Sequence, residues 1–231
     1  MGEQFQLPQR AMAIFAHPDD ADFGCSGTLA LWAAQGVHVT YCLLTSGNKG
    51  THDPKMTAAK IAGIREKEQR EAGRRIGVQD FVFLRHDDGE LETGMQLRGE
   101  VCKAIRMQKP DLVFCQDPWR AYQMHPDHRV AGWSALDGVI AARDHLFFPQ
   151  QLTRGLTHHR VTRVLLFGTA DPNIWFDITT TMSKKLDALA AHESQVGQFS
   201  KLAERMHAFA GATGRAWGIE KAEAFRFLEL A

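Results

Sequence analysis

Residues 11–20 read Ala-Met-Ala-Ile-Phe-Ala-His-Pro-Asp-Asp, six apolar positions that run straight into a proline and three polar side chains. An unbroken apolar run of this kind suits a strand buried on both faces. A second run, VHVTYCLLT at 37–45, has the same character. Between them, 24–35 is a helix-like stretch that carries Leu29, Leu31 and Trp32 and stops at Gly36, a residue suited to a left-handed helix cap. Strand, helix and strand make a βαβ unit, and His17-Pro18-Asp19-Asp20 stands where its first strand ends.

The pattern repeats outward from there. A helix is expected over 57–76 with Gly77 as its stop, and its alternating charges between Arg65 and Arg75 mark a solvated face. A strand follows at 81–85, then a helix at 95–108 closed by Lys109-Pro110, then a strand at 111–115. Beyond these, 130–143 reads as helix, 161–167 and 174–178 as strands, and 180–194 and 199–212 as helices. The segment 221–230 stays open, because Ala and Glu favour helix while Phe225 and Phe227 alternate as in a strand. Such alternation predicts an α/β fold, a Rossmann-like three-layer α/β/α sandwich around a mostly parallel sheet. With no repeat or linker in view, residues 1–231 read as a single domain.

Composition narrows the function. Hydrophobic residues at 44% and charged ones at 23% exclude a disordered chain, and 27 basic against 27 acidic residues leave no net field to hold nucleic acid. The same neutrality, with about two helices left over once the sheet is covered, permits a homo-oligomer. Cys25, Cys42, Cys102 and Cys115 form no close pair, which fits a reducing compartment. The N-terminus has no basic stretch followed by an apolar one, and no apolar run approaches 18 residues, so the expectation is a cytoplasmic protein without a membrane span.

In open α/β sheets ligands bind beyond the carboxyl ends of the strands, where strand order reverses, usually between the first and fourth strands. The first ends at His17-Pro18-Asp19-Asp20, and the fourth leads through a loop from Gln116 to His125-Pro126-Asp127-His128. His17 and Asp20 are three residues apart, as are His125 and His128, so each pair can share a face of a helical turn. Two imidazoles and a carboxylate, His17, Asp20 and His128, form the ligand set of a catalytic zinc that keeps one position for water. The same set also suits Fe(II), Co or Mn. Asp19 is placed to take the water's proton, and His125, backed by Asp127, to stabilise an oxyanion. No G-x-S-x-G elbow or phosphate-binding G-x-x-x-x-G-K competes with this reading. Taken alone, an HPDD tetrapeptide is also an ordinary strand-ending turn, and Gly24-Cys25-Ser26-Gly27 a tight turn before a helix.

At these residues the sequence resembles the PIG-L (LmbE-like) family of zinc-dependent N-acetylglucosaminyl deacetylases. The signatures are AHPDDADFGCSGTLA at 16–30 and DPWRAYQMHPDH at 117–128, with weaker similarity around Arg65-x-x-Glu68, Asp88-Gly89, 191–195 and 222–226. The resemblance implies zinc ligation by His17, Asp20 and His128, Asp19 as general base, and His125 with Asp127 at the oxyanion. It further implies that Arg65 and Asp88 reach sugar hydroxyls of an N-acetylated substrate. Set beside these roles, Arg65 can simply pair with Glu68, Asp88 can shape its turn, and His192 on a helix with Leu186 and Leu189 can be a packed histidine. Trp119, Arg120 and Tyr122 stand near the second signature, where aromatic faces suit a sugar ring. Where the family often has Glu and a second Gly, this chain has Ala21 and Ser26. The expected activity is removal of the N-acetyl group from an N-acetylglucosamine-type sugar or related small amide. Its rivals are a metal-dependent hydrolase of another amide or ester, and a metal- or sugar-binding module without turnover.

Overall fold

Along β1 (Arg10–Phe15) successive side chains point to opposite faces, and both sets are apolar: Ala11, Ala13 and Phe15 enter one core, Met12 and Ile14 another. Each face must therefore be covered by helices. The computed structural model describes residues 5–230, so the readings of an absent leader at 1–4 and of the domain's outermost residues lie outside the described residues. After β1 come α1 (Asp20–Gly24), α2 (Ser26–Ala33), β2 (His38–Thr45), α3 (Ala58–Ile76), β3 (Asp80–His86), α4 (Met95–Gln108), β4 (Leu112–Gln116) and α5 (Pro126–Arg143). The chain continues through α6 (Pro149–Leu152), β5 (Arg163–Phe167), β6 (Ile174–Asp177), α7 (Met182–Ala190), α8 (Glu193–Val196), α9 (Leu202–Arg215) and β7 (Ala222–Glu229).

The sheet runs in the order β3-β2-β1-β4-β5-β7-β6. Neighbours from β3 to β5 pair in parallel, while β7 is antiparallel to both β5 and β6. One face packs against α2, α3 and α7 through residues such as Leu29, Trp32, Ala72 and Ala188, and the other against α4 and α5 through Val101, Ile105, Ala131 and Ala135. This is the expected three-layer α/β arrangement. Because β2 lies on one side of β1 and β4 on the other, the connections diverge there and open a crevice at the carboxyl ends.

Local signals act as expected at several ends. The Thr57 side chain caps α3 by accepting from Lys60 N, and Gly77 closes that helix at φ 95°. Four segments differ. The helix expected over 24–35 is α2, and a separate short helix, α1, precedes it, the two parted at Cys25 by a non-helical φ of −148°. The helix expected over 130–143 starts at Pro126, since proline at the first helical position costs no hydrogen bond. The stretch 180–194 splits into α7 and α8 around His192, and 221–230 resolves as a strand with Phe225 fully buried. All four cysteines are free and buried, and among the described residues no helix is long and apolar enough to cross a membrane.

Candidate metal centre

The two polar clusters meet across the β1–β4 crevice. Gln116, the last residue of β4, accepts from the Ala16 backbone N–H at 3.1 Å and ties the two strand ends together. His17 and Asp20 come from the turn after β1, and His128 from the first turn of α5, whose early start at Pro126 aims it at β1. His17 Nδ1 lies 3.2 Å from His128 Nε2, and the Asp20 carboxylate faces both rings, with Oδ2 3.4 Å from His17 Nδ1 and Oδ1 3.1 Å from His128 Nε2. Ligands about 2.0–2.1 Å from a zinc at tetrahedral angles stand about 3.3 Å apart, so the two ring nitrogens have the spacing of two ligands of one ion, and the carboxylate beside them is within reach of the third position. His17, His125 and His128 also bring ring nitrogens within 4.8 Å of one another, a looser triangle.

Charge at the centre favours a cation. Burial by itself would lower the His17 pKa, but hydrogen bonds to Asp127, Asp20 and Asp88 outweigh it and push it up to about 11. Burial works against ionisation of Asp20, yet His128 and His17 hold its carboxyl well below the usual range. In the bare protein a proton thus supplies the positive charge that these carboxylates demand, and a divalent ion satisfies the same demand.

Asp19 is held apart from these three side chains. Its backbone adopts φ 100°, a left-handed conformation costly for a residue with a Cβ, and its N–H donates to Gln69 Oε1 at 2.9 Å. Burial and the neighbouring Asp20 charge push its carboxyl up to about 7, against the opposing pull of Arg65. A carboxyl tuned near neutrality suits general-base chemistry. Gln69 also donates to Asp22 Oδ2 at 2.7 Å, and the buried His192 and Tyr41 reach the same Asp22 carboxylate. His192 is therefore a packed histidine beneath the turn that carries Asp19 and Asp20. Gln69 escaped the sequence reading, although its position four residues after Arg65 puts both on one face of α3.

Three residues are used differently from expectation. Asp127, instead of backing His125, lies 3.0 Å from His17 Nε2 and accepts from the N–H groups of Gly89 and Leu91. Within one turn its side chain points into the protein while that of His125 points out, because they are only two residues apart. Asp88 likewise turns inward, with Oδ1 3.0 Å from His17 Nε2 and 3.9 Å from His125 Nε2. A metal-ligating histidine needs such a carboxylate on its far nitrogen. Arg65 is buried and pairs neither with Glu68 nor with the open crevice. It donates to Pro18 O at 2.6 Å, Gly47 O at 3.2 Å and Asp19 Oδ2 at 3.3 Å, clamping the turn from below. Glu68 is taken by Ser194.

His125 stands just before α5, with its side chain making no capping hydrogen bond and its ring stacked on His128 at 4.8 Å and edge-on to His17 at 4.5 Å. Burial and the two neighbouring histidines lower its pKa, so the ring is a neutral N–H donor. His128 is oriented from behind by Gln123, whose Nε2 lies 3.1 Å from its Nδ1. Of the loop residues, Trp119 packs edge-on against Trp133, Tyr122 is almost fully exposed, and Arg120 borders the large cavity beside the centre.

The family model of PIG-L, described as GlcNAc-PI de-N-acetylase, matches residues 12–138, a span that contains both clusters and the strands that bring them together. The chain belongs to the PIG-L family. Among PIG-L relatives, the diacetylchitobiose deacetylase of Thermococcus kodakarensis is 34% identical over 195 residues, 84% of this chain and 73% of that protein. The 1D-myo-inositol 2-acetamido-2-deoxy-alpha-D-glucopyranoside deacetylase of Actinosynnema mirum is 30% identical, covering 82% of this chain and 81% of the relative. An inhibitor-bound N,N'-diacetylchitobiose deacetylase from Pyrococcus horikoshii superposes with a TM-score of 0.90 at 32% identity, over 96% of this chain and 84% of that one.

Proposed function

We propose that this PIG-L protein is a metal-dependent hydrolase that removes the N-acetyl group from an N-acetylglucosamine-type sugar. His17, Asp20 and His128 would hold zinc, with Fe(II) as the alternative ion. The 3.2 Å approach of the two ring nitrogens with the Asp20 carboxylate facing both, beside a part-buried Asp19 carboxyl tuned to about 7, carries the reading. The acetamido sugars named for the relatives supply the substrate class. The whole of 1–231 is read as one catalytic domain, on the support of a single continuous sheet, and four buried free thiols support a cytoplasmic setting.

A bound ion would acidify a water toward neutral pH and polarise the amide oxygen. Asp19 takes the proton that water loses on attack and returns it to the departing nitrogen, so one water and one amide give one carboxylic acid and one amine. Arg65 and Gln69 hold Asp19 in its strained conformation throughout. His125 donates its N–H to the oxygen on which negative charge develops. Asp127 and Asp88 keep the His17 Nε2 proton in place, leaving Nδ1 free to ligate.

The test pairs metal content with amine release from N-acetylglucosamine and diacetylchitobiose. About one ion per chain, lost in His128→Ala, and turnover that falls about 100- to 10,000-fold in Asp19→Asn with the ion retained, is the expected result. An Asp19→Asn variant at full rate would remove the general-base assignment. A protein that binds the ion and releases no amine from any acetamido sugar would remove the substrate class.

A further inference from the structure

A cavity of about 730 Å³ opens directly off the metal centre, with Asp20 and His128 in its wall. It extends away from Asp19, Asp88 and Arg65, toward the antiparallel edge of the sheet. Its far walls are Phe23 and Phe167 on one side, and Trp175, Met206, Phe209 and Trp217 from β6 and the region of α9 on the other. Trp175 and Trp217 lie with ring centroids 4.1 Å apart, while Phe209 and Trp217 remain 67% and 59% exposed. Large apolar side chains left open to solvent around a concave surface mark a binding site. This one shares two walls with the reacting centre, so whatever fills it is attached to, or adjoins, the scissile amide.

We propose that the cavity takes an apolar aryl or alkyl group of the substrate, making this chain selective for amides that carry such a group rather than for plain hydrophilic sugars. The inference rests on the amidohydrolase reading for its link to turnover, while the pocket itself is testable by binding. The same lining carries Asp117, Arg120, Gln123 and Thr213, which can meet sugar hydroxyls, but a hydroxyl set against the aromatic wall goes unmatched, whereas each methylene buried there strengthens binding about fourfold.

Two substrate series locate the group: N-acetyl, N-butyryl and N-octanoyl glucosamine vary the acyl side, and methyl, hexyl and phenyl glycosides of N-acetylglucosamine vary the amine side. On one series kcat/KM is expected to rise at least tenfold from its smallest to its largest member. That ratio should collapse toward one in Trp217→Ala and in Ala216→Trp, which narrows the mouth. Independently of turnover, octyl glucoside below its micelle threshold should bind the metal-free wild-type protein saturably in titration calorimetry, and the two variants should weaken this binding at least tenfold. Should no amide be hydrolysed while octyl glucoside binds in this way, the pocket stands and the deacetylase reading falls. Flat kcat/KM along both series together with no saturable octyl glucoside binding would overturn the proposal, whether or not N-acetylglucosamine is hydrolysed.

Discussion

His17 Nδ1 and His128 Nε2 stand 3.2 Å apart although 111 residues separate them in the chain. In the bare protein two ring nitrogens at that distance are held together by a proton and by Asp20, which touches both. Adding a divalent ion should therefore stabilise the fold: at one hundred times its dissociation constant, by about 2.7 kcal/mol. Scanning calorimetry with and without zinc measures this, and His128→Ala should lose the metal-dependent part of the rise in Tm.

Asp127 supports His17 from behind, so its effect should be on the ion. Replacing it by Asn keeps the volume and removes the charge that fixes the His17 Nε2 proton. Metal affinity should fall about 10- to 100-fold, read by competition with a chromophoric chelator. Unchanged affinity would show that the 3.0 Å contact is incidental.

Arg65 separates a clamp from a substrate contact. A lysine cannot reproduce the fork that reaches Pro18 O, Gly47 O and Asp19 together, and Arg65→Lys should cost about 1–3 kcal/mol in urea unfolding as buried acceptors go unpaired. A raised KM with unchanged stability would return Arg65 to the sugar.

His192 should make stability depend on pH. Burial favours its neutral form, but the hydrogen bond and charge of Asp22, with Asp19 and Glu68 behind, raise its pKa above the ordinary value of about 6.5. A raised folded-state pKa gives stability that is fully present below about 6.5 and is lost as pH climbs through the folded value. Urea midpoints should thus fall with rising pH in that window for the wild type, relative to His192→Asn. A pH-independent difference between the two proteins would contradict this.

Gly132 lets α5 lie close enough to β4 for His128 to reach Asp20. A Cβ there would sit 2.5 Å from the backbone oxygen of Gln116, so the helix must move outward. Gly132→Ala should destabilise by about 1–3 kcal/mol and weaken metal binding as well, which paired unfolding and metal titrations would reveal.

Much of the centre is legible in the sequence. The doubly apolar runs at 11–16 and 37–45 announced buried parallel strands, and the i, i+3 pairs His17/Asp20 and His125/His128 lay at two strand ends that the topology brings together. Less legible were the helix break at Cys25 and the early start of α5. Both hinge on a few residues whose backbone choice depends on what packs beside them. The segment 221–230 could not be assigned locally, because Ala-Glu propensity and Phe alternation conflict. Pairing with β5 and β6 and the burial of Phe225 decided it.

By itself, the sequence determined the layers, the crevice and the two polar clusters that flank it, since these follow from local periodicity and from the right-handed connection rule. The tertiary structure alone decided what stands behind each donor. Asp127 went to His17 and not to His125, Arg65 and Gln69 went under Asp19, and the β6–α9 region supplied the aromatic wall. The hydrogen-bonded partners among these lie 47 to 110 residues apart in the chain, and no period encodes them. They are chosen by loop paths and rotamers once the core has packed, which is why spacing points to the polar clusters and stops short of what supports them.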